Sequence, residues 1–196
     1  MRTRLRAIIA AKSFGQGAEI TLASGKKSNF YFNMKPTMLD PEGAALIAGL
    51  ILDQVSGRTA GQGPSPGFGP SSKPGLVGGL ELGAIPIAVA VALASHGRSM
   101  PIPAFIVRKA AKQHGTRQRI EGFAPGEGLA GKSVLMVEDV TTTGGSLLDA
   151  IEVVREAGGV VTQAITVVDR LEGASAALSA AGVELIALFT AKDFLG

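Results

Sequence analysis

Cysteine is absent from the 196 residues, and so is tryptophan. Without cysteine there is no disulfide framework and no thiolate-held zinc, and a reducing compartment is compatible. Charged residues make up only 18% and aromatics 5%, against 46% hydrophobic residues, which excludes a disordered chain and describes one able to bury a core. Long hydrophobic runs are missing too. The longest uncharged apolar stretch, residues 82–95, contains Pro86 and falls short of the ~20 residues a membrane span requires. The basic start Met1-Arg-Thr-Arg-Leu-Arg has no apolar run or cleavage site behind it, so the expectation is a cytoplasmic protein without a membrane partner. A net charge of +3 is too small to imply nucleic acid, and no nucleic-acid partner is expected. Yet acid is wholly missing from one stretch that holds Arg108, Lys109, Lys112, Arg117 and Arg119. Such a local cluster suits a small polyanion better than a duplex.

The length fits one domain over residues 1–196, and no internal repeat is visible. Residues 2–12 read as an amphipathic helix with Leu5, Ile8 and Ile9 on one side. Residues 18–22 and 29–33 read as short strands joined by the turn Ser24-Gly-Lys-Lys. Residues 41–55 read as a helix with Asp40 as N-cap and Pro41 at its first position. Residues 57–75 are so rich in Gly, Pro and Ser that they read as a flexible loop. Strands at 75–80, 102–107, 133–137, 160–168 and 183–189 then alternate with helices at 86–95, 145–157 and 174–181. That alternation predicts an α/β fold, a mostly parallel sheet flanked by helices on both faces, with ligands at the carboxyl ends of the strands.

The strongest motif lies at one such end. In Val134-Leu-Met-Val-Glu-Asp-Val-Thr-Thr-Thr-Gly-Gly-Ser146 a hydrophobic strand ends in two acids and then opens a helix through Thr and Gly. Thr142, Thr143, Gly144, Gly145 and Ser146 can offer backbone N–H groups and hydroxyls to a phosphate at a helix N-terminus. Glycine lets the backbone approach the anion closely. Glu138 and Asp139 are placed to hold sugar hydroxyls and a hydrated Mg²⁺, a hard cation that prefers oxygen. The Gly-Lys-Ser/Thr of a Walker loop is missing, and the acids precede the glycines instead of following them as in a dinucleotide fingerprint. On pattern alone, a capped helix after a core strand with two surface acids remains an alternative.

Four hydrophobic residues, two acids and a Thr/Gly run resemble the phosphoribosyl pyrophosphate signature of type I phosphoribosyltransferases. The resemblance implies that fold, with residues 1–35 contributing a small N-terminal hood. Three further segments resemble the orotate phosphoribosyltransferase family within it. Arg108-Lys-Ala-Ala-Lys-Gln-His-Gly115 is similar to that family's mobile catalytic loop, Ser24-Gly-Lys-Lys-Ser-Asn-Phe-Tyr-Phe32 to its orotate-binding segment, and Asp169-Arg170 to its arginine near the base.

The resemblance implies a Mg²⁺-dependent transfer of ribose 5-phosphate from phosphoribosyl pyrophosphate to orotate, giving orotidine 5′-monophosphate and pyrophosphate in pyrimidine synthesis. Lys109, Lys112, His114 and Asp139 would be catalytic. Arg108, Glu138, the 142–146 loop, Arg170, Tyr31 and Phe32 would bind substrate. Leu82 and Gly83, in Gly79-Leu-Glu-Leu-Gly-Ala84, would hold pyrophosphate through backbone amides. It also implies a homodimer in which the 108–119 loop acts across the interface. By composition alone that run is a solvated hairpin tip, as most charge runs are.

In two places the chain departs from the family pattern. Ala23 and Gly83 stand where many orotate enzymes carry lysines. Two other readings are a phosphoribosyltransferase for another base and a non-catalytic regulator that senses phosphoribosyl pyrophosphate. The N-terminal segment disfavours the first. The lack of room for a nucleic-acid-binding domain disfavours the second.

Overall fold

The computed structural model describes residues 1–21, 27–57, 73–110 and 119–195. The chain opens with α1 (Arg2–Lys12), the hairpin strands β1 (Phe14–Thr21) and β2 (Lys27–Phe32), the single turn α2 (Lys35–Met38) and α3 (Pro41–Val55). It continues through β3 (Leu76–Leu80), α4 (Ala84–Gly97), β4 (Ala104–Val107), β5 (Ile120–Glu121) and β6 (Ser133–Thr141). It ends with α5 (Gly145–Glu156), β7 (Val160–Asp169), α6 (Ala174–Ala180), β8 (Glu184–Thr190) and a 3₁₀ turn at Ala191–Asp193. The expected turn after Thr21 and most of the expected 57–75 loop lie outside the described residues.

The main sheet has six strands in the order β5-β4-β3-β6-β7-β8, parallel except for the two-residue edge strand β5. From β3 the chain runs outward through β4 and β5, then returns to the other side of β3 as β6. The direction of winding therefore changes between β3 and β6. In an open α/β sheet that is where a crevice forms beyond the strand ends.

Two apolar layers cover the sheet. On one side α1, α3 and α4 bury Leu5, Ile47, Ile51, Ile87 and Val91. On the other, α5 and α6 bury Leu147, Ile151, Val154 and Leu178. Each fully buried aliphatic side chain of this kind contributes about 1.5–3 kcal/mol. Because both faces are covered, β3 is buried throughout despite its two glycines. Gly78 and Gly79 admit close neighbours there. A Cβ at Gly78 would stand 2.5 Å from the Phe105 ring.

The expected caps form. Asp40 Oδ1 accepts a 2.9 Å bond from Gly43 N–H at the start of α3, worth roughly 1 kcal/mol. Other expected boundaries move. β1 starts at Phe14, not at residue 18, because Phe14 and Gly15 pair with Phe32 and Tyr31 and the Tyr31 ring covers the space above Gly15. β6 runs on to Thr141 instead of stopping at Val137, since β7 pairs with it as far as Asp169. α4 begins at Ala84, with Pro86 inside its first turn where no N–H is needed. The turn α2 and strand β5 were not expected.

β1 and β2 form a separate two-stranded sheet, while α1 packs into the main core through Leu5 and Ile9. The hairpin is tied down by an aromatic cluster: Phe14, Phe32 and Phe194 have ring centroids 5.1 to 5.8 Å apart.

Candidate active site

The acids of the motif sit on the last turns of β6. Glu138 is 8% exposed, and the Asp139 side chain stands beside it. Burial pushes the Glu138 carboxyl well above the usual range, and the neighbouring Asp139 charge pushes it the same way. Lys109 pulls in the opposite direction, so this ammonium lies within electrostatic reach of the acid pair. The Asp139 carboxylate accepts a 2.9 Å bond from Val140 N–H, which fixes its orientation.

A cavity of about 650 Å³ opens in front of the pair, at the β3–β6 switch. Its lining includes Leu82 and Gly83 from the turn after β3, Lys109 after β4, and Lys35 from α2. The Glu81–Leu82 peptide in that turn is cis. Gly83 approaches the acids so closely that a Cβ there would stand 2.5 Å from Asp139 Oδ1 and 3.0 Å from Glu138 Oε1. A side chain here would require the two carboxylates to shift.

A smaller cavity of about 220 Å³ adjoins it and shares Glu138, Val140 and Ser146. Thr142, Thr143, Gly144 and Gly145 complete its wall. Gly144 takes the left-handed conformation, φ 86°, and its carbonyl accepts from Leu148 N–H at 2.9 Å as α5 begins. No side chain caps α5. Its first amides are therefore left to whatever enters the cavity, and the helix end favours an anion. Thr142 carbonyl accepts from Ala174 N–H at 3.2 Å and Thr141 carbonyl from Arg170 N–H at 2.9 Å, pinning the loop to the segment after β7.

Arg170 is 6% exposed. It donates from Nε to Glu172 at 2.7 Å, from Nη2 to Ser28 Oγ at 3.0 Å and from Nη1 to the Phe30 carbonyl at 3.4 Å. Its guanidinium lies 4.4 Å over the Phe30 ring. The structure thus brings Arg170 onto the hairpin strand that carries Tyr31 and Phe32. Those two residues part company: Phe32 packs among the aromatic rings, and Tyr31 faces the other way with 46% exposure.

Arg108 does not line either cavity. It is committed to Glu121, 3.1 Å from Nη1, and to Glu81, 3.9 Å from Nε, while its backbone N–H donates to Arg119 carbonyl at 2.7 Å. Arg119 in turn pairs with Asp149 on α5 at 2.6 Å. These bonds fix the base of the basic segment. Lys112 and His114 lie outside the described residues.

Two residues escaped sequence reasoning. Glu81 accepts from Lys109 N–H at 2.9 Å, joining the β3 turn to the basic segment. It stood inside a segment valued only for its backbone. Lys35 lines the larger cavity from α2, and no motif or spacing marked it.

Among the described residues no group of three or more His, Asp or Glu side chains could by itself hold a metal. No helix there is long and apolar enough to cross a membrane.

Comparison with known proteins agrees with this geometry. Residues 71–181 match the phosphoribosyl transferase domain family. The orotate phosphoribosyltransferase of Rhodopseudomonas palustris (strain TIE-1) is 51% identical over 194 residues, 99% of this chain and 96% of that one. The crystal structure of Mycobacterium tuberculosis orotate phosphoribosyltransferase in complex with Fe(III) dicitrate superposes with a TM-score of 0.77 at 34% identity, covering 98% of each chain. The same enzyme in complex with 5-phospho-alpha-D-ribosyl 1-diphosphate superposes with a TM-score of 0.74 at 31% identity, covering 100% of this chain and 99% of that one. With the fold, half of its residues and nearly the whole length in common with such enzymes, the chain belongs to the orotate phosphoribosyltransferase family.

Proposed function

We propose that the protein transfers the ribose 5-phosphate group of phosphoribosyl pyrophosphate to orotate, giving orotidine 5′-monophosphate and pyrophosphate. One observation carries the assignment of roles. The uncapped start of α5, the acid pair of β6 and the cation-free turn after β3 all face two adjoining cavities at the switch of the sheet. A 5-phosphate fits the 142–146 loop, ribose hydroxyls the acids, and the diphosphate the amides of Leu82 and Gly83. The base comes from the side of the hairpin and Arg170, whose guanidinium suits the orotate carboxylate.

In the reaction a ring nitrogen of orotate bonds to C1 of the ribose and releases its proton to solvent, while the C1–O bond breaks and its electron pair leaves with pyrophosphate. Positive charge develops on the sugar, and negative charge grows on the leaving group. Asp139 and Glu138 hold the ribose where that positive charge develops. Lys109 stabilises the leaving group more in the transition state than in the ground state. Lys112 and His114 are assigned to the same task, and an imidazole can give up a proton near neutral pH.

The acid pair suits a hydrated Mg²⁺. Its donors are hard oxygens, burial makes the Glu138 charge costly, and two carboxylates leave the remaining positions to substrate and water. When bound, the ion would neutralise diphosphate charge. We place the enzyme in the cytoplasm as a homodimer, with Lys112 and His114 serving the partner's acids; the expectation that Lys109 also crosses the interface is corrected, because Lys109 lines the cavity of its own chain.

The test follows orotate absorbance in the presence of phosphoribosyl pyrophosphate and Mg²⁺, beside adenine, hypoxanthine and uracil controls. Consumption of orotate alone is expected. Turnover of a purine and not of orotate would overturn the base assignment.

A further inference from the structure

The larger cavity must receive a diphosphate, yet its own charges are poorly suited to one. Glu81, Glu138 and Asp139 all line it. The turn after β3, Glu81-Leu82-Gly83, carries no cation, and Gly83 presses close to the Asp139 carboxylate. Lys109 lies on the β4 side, and Glu81 takes its backbone N–H. Among the described residues the remaining ammonium in the lining is Lys35.

Lys35 is exposed, and the acids close to it in sequence are engaged elsewhere. Asp40 is paired with Lys12 and caps α3 through Gly43 N–H. Glu42 is paired with Arg4 at 2.6 Å. Among the described residues no hydrogen bond or ion pair claims the Lys35 ammonium.

The backbone that carries it is anchored. Met34 is 1%, Thr37 0% and Met38 3% exposed. Thr37 Oγ1 shares a 2.6 Å hydrogen bond with the buried Ser13 hydroxyl. Gly43 lets α3 press against the Thr37 carbonyl, where a Cβ would collide. A solvated lysine requires no such platform. An uncompensated cation on a fixed turn at the rim of an acidic cavity is arranged for an anion that arrives with the substrate.

We infer that Lys35 is a pyrophosphate-binding residue, meeting the diphosphate from the α2 side and supplying a cation that the turn at Gly83 does not carry. The inference rests on the reaction proposed above and adds a residue to it. Its partner is the diphosphate rather than orotate because Lys35 shares its cavity with Leu82 and Gly83, whereas Arg170 and the hairpin do not line that cavity.

The test uses the full chain, with Lys35→Met and Lys35→Arg beside wild type. Pyrophosphate with Mg²⁺ is titrated calorimetrically without any base, and its product inhibition is measured against phosphoribosyl pyrophosphate. Lys35→Met should weaken pyrophosphate binding by at least about tenfold, as expected for a lost charge-assisted contact. It should raise KM for phosphoribosyl pyrophosphate alongside, while KM for orotate and inhibition by ribose 5-phosphate stay within about twofold. Lys35→Arg should keep most of the affinity, since only the charge is required. Unchanged pyrophosphate affinity in Lys35→Met, or equal losses for ribose 5-phosphate and orotate, would overturn the inference. Because the titration omits the base, it reads the diphosphate contact even if the base assignment fails. Loss of orotate turnover by wild type itself would count against the reaction alone.

Discussion

Adjacent glycines in the phosphate loop should respond oppositely to the same added methyl group. At Gly144, φ is 86° and a Cβ would lie 2.8 Å from Leu178 Cδ1 and 3.2 Å from Ala174 Cα. Alanine there faces two costs. The left-handed conformation costs about 1–2 kcal/mol. Forcing a methyl group against α6 adds roughly 1–3 kcal/mol. Gly144→Ala should therefore lose about 2–5 kcal/mol of folding free energy. In a domain of this size that is a fall of roughly 4–20 °C in Tm.

Gly145 differs in both respects. It is the first residue of α5, and the nearest atom to its Cβ position is Thr143 Oγ1 at 3.9 Å. Gly145→Ala should be neutral or gain up to about 1 kcal/mol through lower unfolded-state entropy. Its methyl, however, would occupy the small cavity assigned to the 5-phosphate, so ribose 5-phosphate affinity should fall. Urea unfolding followed by circular dichroism gives the stabilities, and calorimetry gives the affinities. Equal destabilisation by both changes, or full phosphate affinity in Gly145→Ala, would refute the reasoning.

Three further outcomes are expected. Asp139→Asn should lower turnover by orders of magnitude, about 10²-fold or more, with the native fold retained in circular dichroism, because the carboxylate acts on substrate; near-normal turnover would remove Asp139 from the site. Glu138 has its folded pKa raised by burial and by Asp139, so the folded protein holds that proton more tightly than the unfolded chain. Wild type should then lose stability as pH rises above the ordinary carboxylate range, roughly 4.3. The advantage of Glu138→Gln over wild type in urea unfolding should grow with pH, whereas a pH-independent difference would contradict the assigned cause. Finally, mixing inactive Lys112→Ala with inactive Asp139→Asn should restore activity to about one quarter of wild type, since half of randomly formed dimers are mixed and each has one intact site of two. No recovery despite proven subunit exchange would confine Lys112 to its own subunit.

The sequence made the fold and the phosphate loop readable because both rest on local rules. Strand–helix alternation, Asp40 before Pro41, and the passage from apolar strand through two acids into Thr and Gly each satisfy a backbone requirement within a few residues. What stayed hidden depends on partners distant in sequence. Phe14-Gly-Gln-Gly looks like a turn, yet it is a strand because Gly15 lies beneath Tyr31. Ile120–Glu121 is too short to announce itself and exists only through pairing with Ile106 and Val107. Lys35 carries no pattern at all, since its relation to Gly83 and Asp139 arises only when α2 meets the end of the sheet. Arg108, expected to bind substrate, has Nη1 3.1 Å from Glu121 and Nε 3.9 Å from Glu81, neighbours that only the fold brings to it.

The chain has one tyrosine and no tryptophan, and that tyrosine is Tyr31. It stands on β2 between Phe30, whose carbonyl accepts from Arg170, and Phe32, with its ring laid over Gly15 and 46% exposed. Ultraviolet emission from this protein therefore arises essentially from a single side chain at the strand that meets Arg170. Quenching, anisotropy and lifetime measurements on the unlabelled protein report on that one ring, without an engineered probe and without a background to subtract.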